Sequence, residues 1–368
     1  MSSWRWRGSV ALLAVGLAFV IYPLLPSFDV INSDWPAFET GARVIVSNPG
    51  HLYDLAVQQR VELDVTGGRA LVTLGVHGIL PFLAPAWVAL LAVPFDLLGP
   101  NLGGHAWVLF GLVCLLAGLF FAIRPRPPSE VLAAFAGVPT ALMMLNAQLD
   151  GIVALGIGAA VAMWSQPYLA GLALGLTLMK PHLVLPIGFG LLLTRRWKVL
   201  AGWASVSALF VATTLLLNPH WISEWIGQTG STVQAGGREI DLPHLAVFFS
   251  SSVRTYALAT LALIAISGVL GLAARCRGDL APAAAILVIG GVVASPHALP
   301  ADLVLVAVGL AIWGKAEWFE WLALSAVALA TALLPDPLPL GLGVALMGWL
   351  TLRISLSTRR GLERASAR

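Results

Sequence analysis

Apolar runs follow one another along almost the whole of this chain, and the charged residues fall in the gaps between them. A helix needs about 20 apolar residues to cross hydrocarbon, and shorter ones survive only when packed among neighbours. Candidate spans are 9–25, 79–98, 105–123, 131–145, 149–164, 169–178, 183–193, 199–217, 255–274, 281–294, 299–313, 318–334 and 338–352. Several are too short to cross alone, and prolines interrupt others. Of the 368 residues, 11% are charged and 58% hydrophobic, whereas a soluble domain carries about 25% charged residues. Too few charges remain to cover a water-facing surface, so lipid is the main solvent.

The basic residues sit in short groups at the ends of apolar runs, a pattern of membrane orientation rather than of nucleic-acid binding. Arg5/Arg7, Arg124/Arg126, Arg195/Arg196/Lys198, Arg275/Arg277, Lys315 and the C-terminal arginines 353, 359, 360, 364 and 368 are expected in the cytoplasm. The two longest hydrophilic loops, 26–78 and 218–244, then lie outside. The first apolar run resembles a signal peptide without a small-residue cleavage site, and reads as a retained anchor. Thirteen crossings would separate the termini and export Arg124/Arg126. One segment must therefore fail to cross, with 79–98 (Pro81, Pro85, Pro94) and 131–145 as the candidates. The expectation is an all-α bundle of about 12 transmembrane helices with both termini inside, forming one membrane domain over 1–368. The Ala, Gly, Leu and Arg bias suggests a bacterial inner membrane. Cys114 lies within an apolar run and Cys276 between arginines, so neither a disulfide nor a cysteine metal site is expected.

A charge at bilayer depth costs roughly 3 kcal/mol even on the lenient insertion scale, so each one needs a reason. Asp34 precedes Trp35-Pro36, a sequence suited to a helix start that would run to Val46 and stop at Asn48-Pro49-Gly50. Spacing leaves two readings of Asp34 open: a helix cap, or a base held at the outer membrane face. Gln148 and Asp150 occupy the break between two apolar runs, which reads either as a tight turn or as part of a site. Lys180-Pro181-His182 ends a run too short to cross. A snorkelling lysine is disfavoured outside, and a phosphate ligand is the better use of Lys180. Ser295-Pro296-His297 with Asp302 forms another break, and Arg254 begins a span. A metal needs three converging ligands, which this spacing does not supply, so no metal is expected. By parity all these breaks open on the outer side.

The stretches Asp34-Trp35-Pro36-Ala37-Phe38, Gly41-Ala42 and Asn48-Pro49-Gly50-His51-Leu52-Tyr53-Asp54 resemble the first outer loop of glycosyltransferase family 87. Asn146-Ala147-Gln148, Lys180-Pro181-His182 with Thr194-Arg195-Arg196-Trp197, and Ser295-Pro296-His297 with Asp302 follow in matching order, over about residues 9–315. Departures are Ala147 where the family break usually reads Gly-Gln, Ile79-Leu80-Pro81 in place of Tyr-Pro-Pro, and Leu299 and Asp302 where many members have Trp and His.

The resemblance implies a GT-C fold and an inverting transfer of a sugar, mannose favoured, from a polyprenyl-phosphate donor to a lipid or glycan acceptor on the outer face. It implies Asp34 as general base, and Lys180, Arg254 and His297 as ligands of the leaving phosphate. Glu39, Tyr53, Gln148, Asp150, His182 and Asp302 are candidates for sugar hydroxyls or supporting bonds. No cofactor, metal or nucleic-acid partner is expected beyond the lipid-linked donor, the acceptor and the bilayer. The rival is a transporter or flippase for a lipid-linked or small polar substrate, which also keeps charges and broken helices within the membrane. Against it stand the absence of a repeat between the two halves and the gathering of polar residues on one face.

Overall fold

The computed structural model describes residues 14–69, 80–124, 129–232, 239–276 and 278–366. Arg5, Arg7, Arg126, Arg277, Arg368 and Ile79, all used in the sequence reading, lie outside them. Among the described residues the chain is helical without a strand. The α-helices are α1 (Ala14–Leu24, its last turn 3-10), α2 (Trp35–Ser47), α3 (Leu55–Val65), α4 (Ala86–Asp96), α5 (Pro100–Ile123), α6 (Ser129–Phe135), α7 (Val138–Leu145), α8 (Asp150–Ala162) and α9 (Pro167–Leu174). After two 3-10 segments, Gly175–Met179 and Pro181–Val184, come α10 (Leu185–Leu193), α11 (Trp197–Leu217), α12 (Trp221–Thr232), α13 (Ser251–Ala274), α14 (Leu280–Ala294), α15 (Leu303–Trp313), α16 (Trp318–Leu333) and α17 (Leu338–Ser366).

Four of these, α5, α11, α13 and the first part of α17 to Thr358, are long and apolar enough to cross a membrane. Eight shorter apolar helices of 10–17 residues accompany them. Apolar helices of this number and length make the chain a membrane protein. Length alone thus counts four full spans beside eight shorter apolar helices among the described residues, against the expected bundle of about 12 crossings.

Three of the expected spans differ in detail. Segment 131–145 is two helices, because Gly137 and Pro139 end α6 before α7 begins. The hydroxyl of Thr140 bridges the gap by donating to Ala134 O at 2.8 Å. Of segment 79–98, only α4 is helical, beginning after Pro85. At the other end, α17 runs well past 352, where Arg353 pairs with Glu317 at 2.8 Å and with Glu320.

The core is built on close helix crossings. On α5 and α8 the contact faces are glycines: a Cβ on Gly151 would lie 2.0 Å from Gly111 O, and one on Gly158 1.9 Å from Gly118 O. In lipid, where apolar surface alone does not drive helices together, such small-residue faces let backbones pack directly. α15 is buried along its whole length, which explains why a run of only 11 residues can be fully apolar. Against this core α2 packs with α3, α4 and α5. Its aromatic face meets Trp107 of α5, with ring centroids 5.7 Å from Trp35 and 5.3 Å from Phe38.

Candidate active site

Four breaks between helices converge, and each break is set by local sequence. The first is the start of α2. Asp34 occupies the N-cap position, but its side chain makes no capping bond. Ser33 does that work: its hydroxyl accepts from Trp35 N at 3.2 Å and donates to Val30 O at 2.6 Å. Asp54 makes the contrast plain, since its carboxylate does cap α3, accepting from Ala56 N at 2.9 Å and Val57 N at 3.3 Å. The Asp34 carboxylate is left free to face inward.

The second break, 146–149, joins α7 to α8. Ala147 turns the chain with φ +52°, a left-handed conformation that glycine adopts without strain. The turn is pinned from two sides: Trp107 Nε1 donates to Ala147 O at 2.9 Å, and Asp34 N donates to Asn146 O at 3.3 Å. This aims Gln148, whose side-chain amide donates to the Asp34 carboxylate.

The third break lies between the two 3-10 segments. Pro181 stops the first of them, and Lys180 Nζ reaches Asp150 at 2.9 Å and Asp302 at 2.5 Å. Both carboxylates are buried. Asp302 belongs to the fourth break, where its other oxygen accepts from Leu299 N at 2.7 Å. His297, in the same break, lies near His182, with ring centroids 6.1 Å apart and the rings tilted by 55°.

Asp34, Gln148, Asp150, Lys180, His182, His297 and Asp302 therefore form one cluster. Asp34 interacts electrostatically with Lys180, Asp302 and His297. Burial pushes the Asp34 carboxyl up from 3.8 to about 6, against the pull of Lys180, of His297 and of the Gln148 amide, and with a push from Asp302. At neutral pH it is mostly ionised and weakly solvated, which suits a proton acceptor. Lys180 is not a bare cation: two of its three N–H donors are taken by carboxylates, and one remains.

The other sequence candidates stand apart from this cluster. Glu39 is buried against Arg43 at 2.7 Å, and Arg43 also binds Asp64 at 2.7 Å and Asp96 at 2.9 Å, locking α2 to α3 and α4. Tyr53 donates its hydroxyl to Ala84 O at 2.9 Å. Arg254 is exposed on the first turn of α13 and lies close enough to His244 to disfavour a charge there.

Two site residues escaped the sequence reading. Glu239 is buried and its Oε1 meets His297 Nδ1 at 2.7 Å. Asp241 accepts from Ala298 N at 2.9 Å and His244 N at 2.8 Å. Their only signal in the sequence is Glu239-Ile240-Asp241, an acid-apolar-acid triplet inside a loop otherwise read as solvent-facing.

Among the described residues, no group of three His, Cys, Asp or Glu side chains has metal-ligand geometry. No curated protein and no solved structure matches the chain. The model of glycosyltransferase family 87 matches residues 82–300, more than half of the chain. The matched stretch contains Gln148, Asp150, Lys180, His182, Glu239, Arg254 and His297, while Asp34 and Asp302 fall outside it. A chain built of membrane helices that matches this family over most of its buried polar cluster belongs to glycosyltransferase family 87, and is a hexosyl or pentosyl transferase.

Proposed function

We propose that the chain moves a sugar, mannose favoured, from a polyprenyl-phosphate donor to a lipid or glycan acceptor at the outer face of the plasma membrane, with inversion at the anomeric carbon. One observation carries this reading: the Asp34 carboxylate, released from capping by Ser33, is held by Gln148 beside Lys180 and His297. A carboxylate in that setting can take the proton of an acceptor hydroxyl as its oxygen attacks the anomeric carbon and the lipid phosphate departs.

The leaving phosphate gains negative charge as the glycosidic bond breaks, so cations must meet it. Lys180 has one N–H left for a phosphate oxygen, and His297 presents its second ring nitrogen. Arg254 would receive the phosphate as it leaves towards lipid. With that charge supplied by side chains, no divalent metal is required. Asp150, Asp302 and His182 keep Lys180 and His297 in position, and the sugar hydroxyls would lie between these groups and Asp34.

The outer orientation rests on the charge pattern. The breaks that supply the cluster, near 34, 146–150, 180–182 and 295–302, are separate from the basic turns at 124, 195–198, 275 and 315 that are interspersed among them along the chain. Basic turns remain in the cytoplasm, so the cluster faces outward, within reach of donors carried on lipid.

The test is incubation of the purified protein with labelled polyprenyl-phosphate mannose, arabinofuranose and glucose in a lipid extract, without added metal. Transfer of one of these labels, abolished in Asp34→Asn, is the expected result. Transfer that persists in Asp34→Asn overturns the assignment of the base, and no transfer from any of the three overturns the donor class.

A further inference from the structure

The segment just before α13 does more than link two helices. Ile240 N donates to Ala298 O at 2.9 Å, and Leu242 N donates to Val293 O at 2.8 Å. Asp241 fastens both ends of its carboxylate, to Ala298 N and to His244 N. Ile240 is fully buried and packs on Gly343 of α17. Residues 239–242 are thereby stapled along 293–298, and the first residue of the staple delivers its side chain to the active cluster. Glu239 is 2% exposed, whereas the His297 ring is 39% exposed. Glu239 Oε1 takes His297 Nδ1, and Oε2 is buried without a hydrogen-bond partner among the described residues. A buried carboxylate with one oxygen unsatisfied is costly, and an apolar residue would pack there without that cost. Its one engaged oxygen is spent on the ring that faces Asp34.

Resting on the transfer reaction above, we propose that Glu239 is a positioning residue: it accepts Nδ1–H of His297, fixes the orientation of the ring and favours the imidazolium, whose Nε2–H is then directed at the departing phosphate. A histidine that donates Nδ1–H to a carboxylate presents Nε2 in a set direction, as an acceptor when the ring is neutral and as a donor when it is protonated. The hydrogen bond does the orienting, and the carboxylate charge favours the imidazolium over neutral imidazole. The groups facing the ring are Glu239, Asp241 and His244 from the stapled segment, Asp302 from its own break, Asp34 from the start of α2, and His182 from the 3-10 segment before α10. Four of these six are carboxylic acids, so the surroundings as a whole support a cation at His297. Burial is the largest single influence and opposes that charge, and Glu239 together with Asp302 and Asp241 outweighs it, raising the His297 ring above its ordinary value. The end of the second long loop, 239–244, is on this account part of the active site.

The experiment measures binding of a polyprenyl methyl phosphodiester, whose charge does not change with pH, to the protein in lipid nanodiscs across a pH series. Wild-type affinity is expected to fall as pH rises and His297 deprotonates. In Glu239→Gln the fall comes at lower pH. Between the two falls its affinity is about tenfold below wild type, the worth of one charge-assisted hydrogen bond, while samples at pH below both falls bind as wild type does. Glu239→Asp restores part of the difference, and His297→Gln removes the higher step, leaving only the change near pH 6 that comes from Asp34. Profiles of wild type and Glu239→Gln that superimpose, or that differ by one constant factor at every pH, overturn the proposal. So does a wild-type step above the Asp34 range, about pH 6, that survives unchanged in His297→Gln, a measurement that does not depend on the folding of any Glu239 variant. Binding without the expected shift sinks this inference alone, whereas no binding by wild type at any pH sinks the donor reading with it.

Discussion

Gln148 donates its side-chain amide to the Asp34 carboxylate across 114 residues of sequence. This bond joins the start of α2 to the turn between α7 and α8, and it exists because Ser33 rather than Asp34 caps α2. Stability and chemistry are thus assigned to adjacent residues. Asp34→Asn should fold and lose turnover by at least about 100-fold, the range of a general base. Ser33→Ala should cost about 1 kcal/mol of stability, as a lost N-cap does, and retain most activity. Thermal melting beside the transfer assay separates the two. A Ser33→Ala protein with no loss of stability would contradict the division.

The pH dependence follows from the same residue. The base proposed at Asp34 must be ionised, and burial raises this carboxyl from 3.8 to about 6. Transfer rate should therefore fall about tenfold per pH unit below about 6. The Gln148 amide pulls that value down, so Gln148→Leu should move the acid limb to higher pH. Stability runs the other way. A carboxyl raised on folding stabilises the fold below its unfolded value, and that contribution is lost as pH rises through about 6. At pH 8 Asp34→Asn should melt no lower than wild type. A lower melting point there would mean that the charge of Asp34 supports the fold.

Much of this arrangement was legible in the sequence, and the reasons differ by residue. Apolar length marked the membrane helices, and polar residues stranded between them marked the breaks. Lys180, Gln148, Asp150, His297 and Asp302 stood out because lipid excludes such groups without cause. What could not be read was pairing across the fold. Glu39 and Tyr53, candidates for sugar hydroxyls or supporting bonds, turn to Arg43 and to Ala84. Glu239 looked like an ordinary loop acid because its burial depends on Ile240 seating against α17. The crossing of α5 and α8 was equally hidden, since glycine pairs show no hydrophobic periodicity.

Ala147 shows how a departure at one position has a physical reading. It holds φ +52° at the turn that aims Gln148, a conformation that costs a residue with a Cβ roughly 1 kcal/mol. Ala147→Gly should match or raise the melting temperature and keep activity, because Gly relieves that strain. Ala147→Val should lower stability and activity together, since β-branching at positive φ disturbs the turn. An Ala147→Val protein with unchanged transfer would mean that the Gln148 orientation does not depend on this turn.

The glycine faces of α5 and α8 make a sharper structural test. A Cβ at Gly158 would lie 1.9 Å from Gly118 O, so any side chain forces the backbones apart. Gly158→Leu should lower stability by about 1–3 kcal/mol or more, as overpacking does. Gly341 on α17 has nothing within 4 Å of an added Cβ, so Gly341→Ala should be neutral or mildly stabilising. Melting of both variants in the same detergent decides whether close packing or general helix propensity governs the bundle.

Lys180 sits between Asp150 at 2.9 Å and Asp302 at 2.5 Å, three charges in a buried space with two of one sign. Removing the cation leaves two carboxylates facing each other without compensation, so Lys180→Met should cost about 3–5 kcal/mol. Pairing that change with Asp150→Asn removes one of the stranded charges, and the double variant should recover part of the lost stability. The two effects are coupled, and a double-mutant cycle in melting temperature measures how strongly. Turnover answers the other question. If Lys180 only locks α8, α15 and the 3-10 break together, the restabilised double variant regains transfer. If its remaining N–H meets the departing phosphate, transfer stays low however stable the protein becomes, because no neutral side chain can replace that charge in the transition state.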